Sequence, residues 1–210
     1  MGTSRHEKLN QLSRRLPEGL PVDAAWLRAL GYTPNLLRKY EAAGWLQQPA
    51  HRIYLRPRGP IVWQQAVLAL QTLLARDLAV GGRSALDLHG FSHYLEALPQ
   101  AIYLYGPKAP PTWLKSLPAG VEFRYRNDAR IFTDAVASTA PHRLDAPPAE
   151  RTKRADGLTT MAWGPWNWPL TVSTPERAIL EFLDELPDRE TFHQADMLME
   201  GLSTLSPTRL

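Results

Sequence analysis

Thr33-Pro34-Asn35-Leu36-Leu37-Arg38-Lys39-Tyr40-Glu41-Ala42-Ala43-Gly44 decides the fold of the first part of this chain. Thr33 offers a hydroxyl N-cap, and Pro34 sits at N1, where its missing N–H costs nothing. At about 100° per residue, Leu36, Leu37 and Tyr40 share one arc and require a core. Asn35, Arg38, Lys39 and Ala42 fall on the opposite arc. Those are residue types that read base edges: Asn for adenine, Arg for guanine, and a small Ala that permits close approach. Gly44 ends the helix, and Trp45-Leu46 turns back toward the core. Upstream, Val22 to Leu30 reads as a shorter helix with Gly31 at C′. Downstream, Arg52-Ile53-Tyr54-Leu55-Arg56 alternates, which places Ile53 and Leu55 inward and Arg52, Tyr54 and Arg56 outward. A helix, a tight turn, a basic helix and a basic ribbon predict a winged helix-turn-helix over 22–59. A small packing unit with solvated arginines is the competing reading. Agreement of turn chemistry, helix phase and charge favours DNA.

Charge follows the same division. Residues 1–59 hold 10 Lys+Arg against 4 Asp+Glu, a net of +6, while 60–210 hold 14 against 17, a net of −3. Within the latter, 171–210 hold 3 against 8, a net of −5. A polyanionic partner for the N-terminal part is the physical implication. No apolar run reaches the roughly 18 residues of a membrane span, and Met1 to Asn10 has no apolar signal segment. The chain has no Cys, which excludes disulfides and thiolate metal sites and suits the cytoplasm.

The remaining chain reads as follows. His6 to Leu16 is a helix with Leu9, Leu12 and Leu16 on one face and Arg14 and Arg15 near its end, within reach of phosphate. Arg56-Pro57-Arg58-Gly59-Pro60 is a stiff basic joint, where the domain boundary is placed. Trp63, Val67, Leu70, Leu74 and Leu78 predict a long helix through Asp77. Gly81-Gly82 stops it, and Ser84 caps the next helix. Strands are expected at 101–105 and 121–125, a short helix at 110–114, and a polar loop with Arg151, Lys153 and Arg154 at 147–157. A Trp-rich hairpin spans Leu158 to Val172. Ser173-Thr174-Pro175-Glu176 has capping-box spacing and opens a helix with Ala178, Ile179, Phe182, Leu183 and Leu186 apolar. Phe192 to Leu202 forms a last amphipathic helix, with Ser206-Pro207 as the start of another.

Few constellations suggest catalysis. His89, His93 and Glu96 have ligand spacing only if one helix carries all three, and Gly90 interrupts it. Glu176, Glu181, Asp184 and Glu185 could hold Mg²⁺ for nuclease work. A capping role for Glu176 and a solvated face for the others is the simpler expectation. No nucleophile elbow, Walker loop or dinucleotide glycine pattern is present. Trp163, Trp166 and Trp168 read as a core hairpin before they read as a base-stacking platform.

Four segments carry a resemblance that covers nearly the whole chain. They are Trp26-Leu27-Arg28-Ala29-Leu30-Gly31-Tyr32, Tyr40-Glu41-Ala42-Ala43-Gly44-Trp45-Leu46, Gly81-Gly82-Arg83-Ser84-Ala85-Leu86 and Ser173-Thr174-Pro175-Glu176-Arg177-Ala178-Ile179-Leu180-Glu181. In order and spacing the chain resembles the AbiEi-type antitoxins and transcriptional regulators of bacterial toxin–antitoxin operons. The resemblance implies an N-terminal winged helix that represses its own operon. It also implies a C-terminal α/β domain that counters a nucleotidyltransferase toxin of the AbiEii type. The family's pattern continues through further helices and strands beyond Ser206-Pro207, so the resemblance implies a chain shortened at its C-terminus.

The expectation is therefore a mixed α+β protein. A winged helix-turn-helix occupies 1–59, and an α/β effector domain, incomplete at its C-terminus, occupies 60–210. The DNA-binding candidates are Thr33, Asn35, Arg38 and Lys39 on the helix and its cap, Arg52, Tyr54, Arg56 and Arg58 on the wing and joint, and Arg14 and Arg15. The expected partners are double-stranded operator DNA, bound as repeats, and a functionally paired toxin. No enzyme activity, cofactor, metal or membrane contact is expected. The rival reading is a nuclease addressed by the winged helix and using the 176–185 carboxylates.

Overall fold

The computed structural model describes residues 5–91, 99–132, 144 and 157–201. His93, Glu96, the basic triplet Arg151, Lys153 and Arg154, Leu202 and Ser206-Pro207 lie outside the described residues. The architecture is mixed α and β, as expected from the sequence.

The first unit runs α1 (Arg5–Arg15), β1 (Val22–Asp23), α2 (Ala24–Ala29), α3 (Pro34–Ala42), β2 (Gln47–Ala50) and β3 (Ile53–Leu55). The three strands form an antiparallel sheet in the order β1-β3-β2. The helix expected from Val22 starts two residues later, because Val22 and Asp23 pair with Tyr54 and Ile53. Asp23 then caps α2, its carboxylate accepting from the Trp26 N–H at 2.8 Å. Leu12, Leu16, Leu27, Tyr32, Leu37, Tyr40 and Leu46 form the core of this unit.

The sheet of the second part has the order β6-β5-β4-β8-β7. Its strands are β4 (Ala79–Val80), β5 (Ala101–Gly106), β6 (Glu122–Asn127), β7 (Leu158–Trp163) and β8 (Trp168–Ser173). β4–β8 and β5–β6 are parallel, whereas β4–β5 and the β7–β8 hairpin are antiparallel. α4 (Trp63–Leu68) runs into a π-helical turn, 69–73, so the expected long helix ends early. It is buried on nearly every side, including Gln65 and Gln71. The Gln71 amide donates to the carbonyls of Leu78 and Thr171 and accepts from the Thr171 N–H, which fixes α4 to the sheet.

Alternation along β5 separates two layers. Ile102 and Leu104 join Val67, Leu70, Leu170 and Val172 in the larger core. Tyr103 and Tyr105 bond residues of the opposite layer, Glu190 and Glu181. That layer contains α5 (Gly82–Leu88), α6 (Pro175–Leu183) and α7 (Phe192–Gly201), packed through Leu86, Ile179, Phe182 and Leu198. Leu20 and Ile53 of the first unit lie in the larger core, so apolar packing is continuous across residue 59.

Two capping expectations are corrected. Ser84 is inside α5, and its hydroxyl accepts from the Tyr103 N–H at 3.1 Å. Thr174, not Ser173, caps α6 by accepting from the Arg177 N–H, which leaves Glu176 in the first turn without a capping-box bond. The short helix forms as a 3-10 turn at Thr112–Ser116.

Candidate nucleic-acid interface

The roll of α3 is set by its apolar arc. Leu37 and Tyr40 are buried, whereas Asn35, Arg38, Lys39 and Ala42 are exposed. Thr33 caps the helix, its hydroxyl accepting from the Leu36 N–H at 3.3 Å. Gly44, at φ +74, adopts the left-handed backbone that ends it. The Tyr32 and Tyr40 rings meet at 6.3 Å between centroids, so the turn before α3 packs against the helix itself.

Three polar contacts hold the two-helix unit. The Tyr32 hydroxyl donates to the Lys8 carbonyl at 2.9 Å, and the Lys8 ammonium donates to the Gly31 carbonyl at 3.1 Å. These tie the α2–α3 turn to α1. The Trp26 indole donates to the Leu73 carbonyl at 3.0 Å and anchors α2 on the π-helical turn. None of these contacts uses the outer face of α3. Among the described residues, Arg38 and Lys39 have no acidic partner.

The ribbon differs from its period-2 reading. Ile53, Tyr54 and Leu55 are all buried, because β3 is the middle strand and has a core on either side. Tyr54, expected outward, packs in the helical core, while Ile53 faces the larger core. Arg52 precedes the strand instead of lying in it. It is exposed in the β2–β3 turn at φ +60, and its carbonyl accepts from the Ala24 N–H at 2.9 Å.

Arg56 makes contacts within the first unit. Its guanidinium donates to the carbonyls of Ser13 and Leu16, each at 3.2 Å, and pairs with Glu18 at 2.9 Å. It thereby serves the C-terminal end of α1, where a cation is favoured. Arg58 lies over the Trp166 ring, 3.7 Å from its centroid. Arg14 and Arg15 are exposed at the end of α1.

The 176–185 carboxylates do not form a solvated face. Glu181 is fully buried. It accepts from Arg177 Nε at 2.7 Å, the Gly82 N–H at 2.8 Å and the Ser173 hydroxyl at 2.8 Å. A Cβ at Gly81 would overlap this carboxylate and the Tyr105 ring, which explains the glycine there. Burial pushes the Glu181 carboxyl upward, against the pull of Arg177, the Gly82 N–H and Ser173. Glu185 is buried as well and pairs with Arg126 and Arg189. Burial opposes its charge, yet the two guanidinium groups hold its carboxyl below the ordinary value. Asp184 points to solvent. Both inward acids of the nuclease reading are thus engaged by arginine. Among the described residues no group of three or more His, Asp or Glu is placed to hold a metal.

Sequence patterning missed this network because it assigns charged residues to water. The available signal was the recurrence of Gly81-Gly82 and Glu181 in two separate motifs, which the fold brings into direct contact. No helix among the described residues is long and apolar enough to cross a membrane.

Two family models match in succession. Residues 5–97 match the N-terminal domain of the AbiEi antitoxin transcriptional regulators. Residues 99–210 match the transcriptional regulator, AbiEi antitoxin, of type IV toxin–antitoxin systems. No curated protein matches the chain. Both descriptions are regulatory, and together they span nearly all of the sequence quoted above. The chain belongs to the AbiEi antitoxin family of transcriptional regulators of type IV toxin–antitoxin systems.

Proposed function

We propose that the first unit is a winged helix-turn-helix that binds operator DNA and represses its own operon, and that residues 60–210 act as the antitoxin module against a nucleotidyltransferase toxin. The observation that carries the DNA reading is the outer face of α3. Asn35, Arg38 and Lys39 project from a helix whose roll is fixed by Leu37 and Tyr40, and neither cation is spent on a protein carboxylate. Charge without an internal partner on a fixed helix face is available to a polyanion. The element order α1-β1-α2-α3-β2-β3 and the sheet order β1-β3-β2 support the winged-helix assignment.

In this reading Asn35 and Arg38 read bases in the major groove. The Thr33 turn, Lys39 and Arg52 meet phosphate, with Arg14 and Arg15 flanking. Tyr54 and Arg56 serve the fold, and Arg58 serves the joint. The domain boundary is kept at residue 59 as a division of labour, with the core shared across it. Operator repeats would let more than one copy bind side by side.

The test is a titration of the full chain on duplexes from upstream of its own reading frame and on scrambled controls, at several salt concentrations. Arg38→Ala should cost about 1–3 kcal/mol on the operator and relax preference at one base pair. Arg52→Ala should weaken both duplexes alike and reduce the salt slope by about one. Full affinity in both variants would remove the winged-helix reading. The antitoxin reading is checked by co-expression with a nucleotidyltransferase toxin of the AbiEii type, where growth rescue is expected.

A further inference from the structure

A cleft of about 620 Å³ opens on the α5/α7 side of the sheet, and its walls come from both matched segments of the chain. That size falls within the roughly 300–1,000 Å³ of small-molecule sites. Its floor is a connected polar chain. Arg124 Nη1 donates to the Tyr103 hydroxyl at 3.1 Å, which donates to Glu190 Oε1 at 3.2 Å. Arg83 Nη1 reaches Glu190 Oε2 at 3.4 Å. Arg189, adjacent in sequence to Glu190, also lines the cleft and pairs below it with Glu185 at 3.2 Å. Arg83 thus touches the buried Glu190 directly, Arg124 reaches it through Tyr103, and Arg189 is held by the neighbouring Glu185.

Two of those groups are under-used. Among the described residues, Arg83 and Arg189 each make one internal side-chain bond out of five N–H donors. The Arg83 contact is long for an ion pair, so a better acceptor can displace it. Arg124 is held by Glu122 through Nε and Nη2, and the lining also carries Asp87, so Arg83 and Arg189 are the guanidinium groups with donors left to offer. The other walls include Gln64 and Gln100, while the Gln194 amide oxygen accepts from the Thr191 N–H and hydroxyl at the start of α7. Amides donate and accept together, which matches the edge of a heterocyclic base. Guanidinium forks at one end suit phosphate oxygens.

We propose that this cleft binds a free nucleoside phosphate, with Arg83 and Arg189 on the phosphate and the Gln64 and Gln100 amides on the base. Nothing in this assignment uses α3, so it stands apart from the DNA interface. The site also joins α5, β5 and the α6–α7 connection, so an occupant would hold both matched segments together.

The experiment is calorimetric titration of the full chain with ADP, inorganic pyrophosphate and adenosine, each alone. ADP should bind saturably, pyrophosphate more weakly, and adenosine weakest. The Arg83→Ala/Arg189→Ala pair should weaken ADP at least tenfold, and Arg83→Lys should restore part of that loss. Gln64→Ala and Gln100→Ala, which break no ion pair, should weaken ADP several-fold and leave pyrophosphate unchanged. They keep the test valid if the arginine pair fails to fold. Arg38→Ala/Lys39→Ala should leave ADP binding intact. No saturable binding of ADP or pyrophosphate at millimolar concentration would overturn the proposal. So would ADP affinity that ignores the cleft variants or falls with the α3 variants.

Discussion

α3 and α6 begin alike and end in opposite chemistry. Both open on Thr-Pro, with Thr33 and Thr174 as caps and Pro34 and Pro175 at N1, and both are nine residues long. On α3 the apolar arc is buried and the charged arc, Arg38 and Lys39, meets water without a protein partner. On α6 the apolar residues Ala178, Ile179 and Phe182 are buried, but so are Arg177 and Glu181. The difference lies in the second layer. α3 covers a small core from one side, whereas α6 is wedged between α5, β8 and the tyrosines of β5. A helix gripped from several directions must bury its charges, and buried charges persist only when paired. One helix therefore leaves its charge in solvent, and the other neutralises it internally.

The largest expected effect tests the internal side of that contrast. Glu181→Ala removes a buried carboxylate partner of Arg177, which keeps its pair with Asp128, and frees the Gly82 N–H. Removing one member of a buried pair costs about 3–5 kcal/mol. Urea unfolding should show that loss, with a lower midpoint at an unchanged slope. A loss under about 1 kcal/mol would mean that the network is no more than a surface pair. Arg38→Ala is the counterpart and should leave the urea midpoint in place while operator affinity drops by about 1–3 kcal/mol. If Arg38→Ala instead lowered the midpoint, α3 would not be the free face described above.

Acid sharpens the same contrast through Glu185. Its carboxyl lies below the ordinary 4.5 because Arg126 and Arg189 outweigh burial. A depressed folded value means that its contribution is complete above about pH 4.5 and is lost as pH falls through the folded value. The stability gap between wild type and Glu185→Gln should therefore be widest above 4.5 and narrow below it. Urea midpoints measured from neutral pH down to about pH 3 would check this. A gap that widened on acidification would reverse the assignment.

Legibility in the sequence follows the same line. The α3 boundaries, its cap and its buried arc were readable because one solvent face and one core obey helix phase. The β7–β8 hairpin was readable for a similar reason, with Trp163 opposite Trp168 at its closing end. Period 2 failed at Tyr54, because alternation marks a face as polar only when one side of the strand is wet. β3 has a core on each side. Phase also failed at Glu181 and Glu185, whose partners Gly82 and Arg126 lie far away in sequence. The helix starting at Trp63 was foreseen, but its passage into a π-helical turn was not. Leu74 and Leu78 keep helical spacing beyond that turn.

A smaller effect compares the two caps directly. Thr33→Ala and Thr174→Ala each remove a hydroxyl that accepts an N–H, worth about 1 kcal/mol. Thr174→Ala should lower global stability by that amount, because α6 sits in the folded core. Thr33→Ala should do the same and also weaken operator binding, since it frays the first turn below Asn35. Equal DNA affinity in wild type and Thr33→Ala would separate the cap from the interface.

The smallest effect belongs to the one candidate cation of the first unit that is held across the domain joint. Arg58 stacks on Trp166, which is half exposed and stacks in turn on the buried Trp168 at 4.9 Å. The basic joint is thereby attached to the hairpin of the larger core. An exposed cation–π contact contributes about 0.5–1 kcal/mol. A double-mutant cycle with Arg58→Gln and Trp166→Ala should return a coupling of that size in urea unfolding. Trp166→Phe should retain part of it, because Phe is the weaker ring. Arg58→Gln should also change tryptophan emission, since it alters the environment of an exposed indole, while leaving the salt slope of operator binding unchanged. Absent coupling, together with a salt slope reduced by about one, would move Arg58 from the joint to the phosphate backbone. The contrast between α3 and α6 would survive that outcome, but charge in the first unit would then face DNA on both sides of the ribbon.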